Sequence, residues 1–163
     1  MEVAADLSLL AHIATAMALI GGQLGSRLMN RQASRQEMID GLVRLTRAAA
    51  PFDQIGNVSG LLILPTGLLA AWAAGYPWLG LTTGWIVGSL ALITVLVALI
   101  FLVFRPDGDA VEAEVQAAVE AGEITPSLRA AFRPEGARRW AYLYGDLAAP
   151  AIIALMVVKP SWS

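Results

Sequence analysis

Cysteine is absent from this chain, which removes disulfides, thiolate metal sites, iron–sulfur clusters and cysteine nucleophiles together. Histidine occurs once, as His12. A single imidazole cannot build a multi-histidine metal site, and no motif places a Ser or carboxylate beside it for triad chemistry. Lysine also occurs once, as Lys159. Charged residues make up only 15% of the chain, against about 25% in soluble domains. No basic surface interleaved with aromatics exists, so nucleic acid is not an expected partner. The start, Met1 to Asp6, holds two acids and no base. A secretory signal peptide opens with positive charge, so the first apolar run is expected to stay in the protein.

Apolar residues are abundant instead, at 57% with a mean hydropathy of +0.63. A bilayer core of about 30 Å needs about 20 of them in a helix. Four runs qualify: about Leu7–Leu28, Phe52–Ala74, Leu81–Phe104 and Trp140–Val158. The third has no charge, and the fourth contains one acid, Asp146. No alternation marks a β-barrel, and helix is the other form that satisfies its backbone in lipid. The expected fold is all-α, a single membrane domain over residues 1–163. It is a four-transmembrane-helix bundle with short amphipathic helices in the cytoplasmic loops, and its first partner is the lipid bilayer.

Orientation follows from arginine. Arg27, Arg31, Arg35, Arg44 and Arg47 cluster between the first two runs; Arg105, Arg129, Arg133, Arg138 and Arg139 cluster between the last two. The other side has Lys159 alone. Ten bases against one place both Arg-rich loops in the cytoplasm and both termini in the periplasm or outside, in a bacterial cytoplasmic (inner) membrane. Tyr76, Trp78, Trp85 and Trp162 then mark the outer interface, and Phe104, Trp140, Tyr142 and Tyr144 the inner one.

The loops carry patterns of their own. Gln36–Ala50 puts Met38, Leu42 and Leu45 on one stripe beside Arg44 and Arg47, which suits a helix lying on the anionic inner leaflet. Asp109–Gly122 reads as an acidic helix with Val111, Val115 and Val119 four apart, closed by Gly122. Thr125-Pro126 starts another as N-cap and first-turn proline, and Arg133-Pro134 ends it. Packing against the bundle mouth is the leading expectation for both loops, with the leaflet helix as the sharper alternative.

Glycines recur four apart at Gly21/Gly25, Gly56/Gly60 and Gly84/Gly88. Such pairs let helices approach closely, within the bundle, in a homo-oligomer or against a membrane partner. On the first run Ser8, His12, Thr15, Gly22, Gln23 and Ser26 share one face, and a polar stripe in lipid should face protein or a cavity. A rise of about 1.5 Å per residue puts Gln23, Asn57 and Asp146 about 6–9 Å above the inner edge, Asp53 at that edge, and Arg27 where it can snorkel towards them. This cluster is either a hydrogen-bonded lock among helices or a proton or ligand site. The same arithmetic sets His12 level with Met156 near the outer edge. His and Met form an axial haem pair in cytochromes, and both also suit cuprous copper.

Leu10-Ala11-His12 with Gly21-Gly22 and a basic turn is one recognisable stretch. Arg138-Arg139-Trp140, Gly145, Pro150 and the ending Met156-Val157-Val158-Lys159-Pro160 form another. Together they resemble a family of bacterial predicted integral membrane proteins known only as a domain of unknown function, over nearly the whole chain. Its layout is similar to the four-helix, haem-binding membrane protoporphyrinogen oxidase and, more distantly, to copper-resistance membrane domains. The resemblance implies haem b at His12. The oxidase type also carries a lysine in its third span; none stands here, so its reaction is not implied. The leading functional expectation is a haem-binding or redox accessory protein with His12 and Met156 as ligands. The alternatives are a non-catalytic assembly or scaffold protein and a small proton-coupled transporter. No residue pattern assigns an enzymatic reaction.

Overall fold

Apolar runs too long for a water-soluble core become four membrane-length helices in the computed structural model, which describes residues 2–159. Helix α1 covers Glu2–Ala33 and α2 Ile39–Ala73. A 3₁₀ turn at Pro77–Gly80 leads to α3, Gly84–Leu99. A π turn, Ile100–Phe104, passes without a break into α4, Arg105–Ala121. The short α5, Pro126–Ala131, and α6, Ala137–Val158, follow. Trp162, expected at the outer interface, lies outside the described residues.

The main packing is pairwise: α1 lies along α2, and α6 along α3. Leu19, Ile63 and Ile100 meet where α1, α2 and the π turn converge, with Ala16, Leu64, Ile93, Val97 and Phe104 around them. Large apolar side chains such as Leu10, Met17, Leu24, Leu61 and Leu102 point outward. In water that surface would demand a partner; in a bilayer, hydrocarbon covers it.

Gln36–Ala50 packs against the bundle mouth, as expected, rather than on the leaflet, but it is not a separate helix. The chain from Ile39 runs straight through Pro51 into the second span as one helix of 35 residues. The reason is burial. Leu42, only 2% exposed, joins Ala33, Ala118 and Leu128 in a second core, with Leu45, Ile39, Val115, Ile124 and Phe132 packed around it. That stripe is therefore spent on protein, while Met38 alone stays largely exposed. The proline is tolerated because neighbouring helices hold α2 on both sides of it.

Length locates this second core. At about 1.5 Å per residue α2 is about 52 Å long, so about 20 Å projects past a hydrocarbon layer of about 30 Å. The rod Gly84–Ala121 spans 38 residues and projects likewise. Both projections lie at the Arg-rich end, where α5 and the end of α1 complete a small platform. Local signals behave as read there. Gly122 ends α4 at φ 74°, and the Thr125 hydroxyl accepts the Leu128 N–H at 3.2 Å to cap α5. At the opposite end Trp78 and Leu79 adopt left-handed φ of 50° and 58° in the tight turn. Tyr76 meets Trp85 edge-on at 6.0 Å, and the Lys159 ammonium stands 5.7 Å from the Trp85 ring, tying the end of α6 to α3.

Candidate functional site

The polar stripe of α1 faces α2. A Cβ on Gly22 would stand 2.7 Å from both the Gly56 nitrogen and the Phe52 oxygen, so the two backbones meet here. Gly25 receives the Phe52 ring, whereas a side chain at Gly21 would enter open space. Close approach thus rests on Gly22 rather than on Gly21. Gly60 completes the seam by taking Ile100 from the π turn, whose Cδ1 lies 3.0 Å from an added Cβ.

His12 belongs to the same seam. Its Nδ1 is 3.4 Å from the Thr66 hydroxyl, and its ring stands over Gly67, with Cε1 3.0 Å from where a Cβ would be. Thr66 in turn donates to the Leu62 carbonyl at 2.7 Å, so the shared contact calls for the proton on Nδ1. A lone pair then remains on Nε2, which also lies beside Gly67. Of the three ring atoms near Gly67, Nε2 is the farthest from an added Cβ, at 3.7 Å, and His12 as a whole is half-buried. Met156 is half-buried on α6, whose main partner is α3, while His12 is held by α2.

The cluster Gln23, Arg27, Asp53, Asn57 and Asp146 divides between two places. Asp53 lies beside Ser26, a buried residue that also takes the Asn30 amide at 3.3 Å. Asn57 follows Gly56 on the seam and is half-buried. Gln23 turns its amide nitrogen into a buried position with no hydrogen-bond partner among the described residues. These three belong to α1 and α2.

Arg27 and Asp146 make a different site. They form an ion pair between α1 and α6, with Arg27 19% and Asp146 44% exposed. The guanidinium carbon lies 5.9 Å from the Phe104 ring and 5.7 Å from the Tyr142 ring, which are 4.8 Å apart. Aromatic faces attract a cation more strongly where water is scarce. Gly145 supplies the room, since a Cβ there would come within 2.7 Å of the Arg27 Nη2. Tyr142 then donates to Asp107 at 3.3 Å, and Arg138 donates to the same carboxylate at 3.3 Å.

Charges therefore link a level inside the bundle to the start of α4 and α6. Sequence reasoning placed Phe104 and Tyr142 only as interface aromatics and did not single out Asp107. An available signal was the hairpin geometry. The ends of the third run and the start of the fourth must lie at one level, so Asp107 and Arg138 are opposite charges facing each other.

Neither a curated protein nor a solved structure matches the chain. Its sequence does match one family profile, described as predicted integral membrane protein, over residues 7–160. Four apolar crossings and a match over nearly the full length make the chain a member of the DUF2269 family of predicted integral membrane proteins.

Proposed function

We propose that the protein is a non-catalytic assembly protein of the bacterial inner membrane. It holds a rigid helical platform on the cytoplasmic face for a partner, with both termini periplasmic. One observation carries this reading: the platform has its own core, built on helices that continue unbroken from the spans. A linker would suffice to tether a mobile module. A continuous helix adds fixed position and fixed rotation. The ten-to-one bias of basic residues supports the orientation. His12 against Thr66 and Ser26 against Asp53 support the non-catalytic reading, because these polar groups are spent on contacts between α1 and α2.

A photoreactive amino acid at exposed platform positions such as Arg44 or Glu112 tests it in living cells. The expected result is a discrete crosslinked adduct that weakens when Leu128→Ala loosens the platform core. The haem-binding alternative predicts otherwise. Protein purified from haem-replete cells would show a Soret band, lost with His12→Ala and altered in spin state by Met156→Leu. A Soret band of that kind, with no adduct from the platform, overturns the assembly reading.

A further inference from the structure

We propose that the lipid-facing stripe of α6 centred on Asp146 receives a membrane-spanning helix of another protein, one that carries a basic residue at the depth of Asp146. This surface lies inside the bilayer, on other residues than the platform, and stands without the platform reading.

Asp146 is turned away from the packed side of its helix. Ala141, Gly145 and Ala148 are buried, whereas Arg139, Leu143, Asp146, Pro150 and Ile153 are exposed. Those five recur at spacings of four and three, which makes one stripe of a helix. Arg27 reaches Asp146 from the packed side, because its Nη2 lies where a Gly145 side chain would stand and its guanidinium meets the Phe104 and Tyr142 rings. Among the described residues Asp146 has no other partner, and its side chain stays 44% exposed.

Depth makes that exposure costly. Asp146 follows the exposed interface residue Trp140 by six positions, or about 9 Å of rise into the bilayer. Leu143 and Leu147, both exposed, stand between it and the headgroups, so its open side meets hydrocarbon. Pro150 has no N–H, and the Asp146 carbonyl four residues earlier is left without its helix donor. Two acceptors on one lipid-facing stripe, a carboxylate among them, call for a donor with positive charge.

Depth and symmetry select the occupant. A lipid amine belongs to the headgroup layer and would have to leave it by about 9 Å. A second copy packed on this stripe, related by a twofold axis along the membrane normal, would set Asp146 against Asp146 and Arg139 against Arg139. A foreign span meets neither difficulty. Its lysine or arginine pairs with Asp146, and an acid two turns nearer the cytoplasm meets Arg139, which forms no ion pair among the described residues.

Energy transfer between the labelled whole protein and a labelled probe span, in phosphatidylcholine vesicles, reads the binding. The probe is a leucine helix of about 20 residues with one lysine at the depth of Asp146 and a glutamate about seven residues nearer its end. It should bind about tenfold more tightly than the same helix with leucine at both places, the scale of a polar contact in a membrane. Asp146→Leu should abolish that preference. So should Leu143→Trp, which blocks the stripe and leaves the ion pair in place, while Leu61→Trp at an exposed position of α2 should keep it. If Asp146→Leu fails to fold, Leu143→Trp decides alone. The proposal is overturned by equal binding of both helices to the wild type, by a preference that survives Leu143→Trp, or by its loss in Leu61→Trp. A preference erased when phosphatidylethanolamine replaces half of the phosphatidylcholine would give the stripe to a lipid amine. Transfer between two labelled copies of the protein that Asp146→Leu removes would give it to a second copy. Either result also overturns the foreign span.

Discussion

Arg27 and Asp146 join α1 to α6, two helices whose main packing partners are α2 and α3. The pair is therefore a tie between the two halves of the bundle, set where Gly145 leaves space and two aromatic rings flank the cation.

Removing one partner should cost more than removing both. Asp146→Ala leaves the guanidinium uncompensated, and we expect a loss of about 1–2 kcal/mol, near the upper range of polar contacts in membranes. Asp146→Asn keeps an acceptor and should lose less. Arg27→Met combined with Asp146→Leu should melt closer to wild type than Asp146→Ala does. Thermal melting in detergent checks this, and equal melting of all variants would remove the tie.

Neighbouring glycines should respond in opposite ways. Gly22→Ala forces a methyl to 2.7 Å from two backbone atoms that cannot rotate away. We expect a destabilisation of about 1–3 kcal/mol, as for overpacked cores. Gly21→Ala meets open space and improves helix propensity, so it should melt at or above wild type. Equal loss at both positions would show that helix contact is not the cause.

The platform should be separable from the spans. Leu128 is fully buried in its core, and Leu128→Ala should cost about 2–5 kcal/mol of local stability. Limited proteolysis is then expected to cut between α4 and α6 while the membrane fraction of the protein is unchanged. Loss of membrane insertion instead would mean that the two cores fold as one.

Orientation has its own test. A reporter active only in the periplasm should work when fused after Ser163 and stay silent when inserted within 118–122 at the end of α4. The arginine bias motivates both expectations. The reverse pattern would place the platform outside the cell.

The spans were legible because hydropathy needs no knowledge of neighbours: runs of apolar residues must cross lipid whatever they touch. Depth was legible for the same reason, and it drew Gln23, Asn57 and Asp146 to one level. Depth does not fix direction around the helix axis. Gln23 and Asn57 fall on α1 and α2, while Asp146 meets Arg27 on α1 from α6. Adjacent glycines hide a similar ambiguity, since they point about 100° apart on a helix of 3.6 residues per turn. Only the position of α2 reveals that Gly22 is the contact. Continuity through Pro51 was illegible because a proline weakens a helix locally, whereas Leu42 and Ala49 restore it by burial against other segments.

The unbroken rod from Gly84 to Ala121 also has a mechanical meaning. It is about 57 Å long at 1.5 Å per residue, with its fulcrum in the membrane. With the pivot at the inner edge of a layer of about 30 Å, about 27 Å of rod lies beyond it, and a tilt of roughly ten degrees would move the far tip by roughly 5 Å. A tilt of α3 would thus displace α4, and a load on α4 would reach the lipid-facing residues of α3 through the turn at Ile100–Phe104.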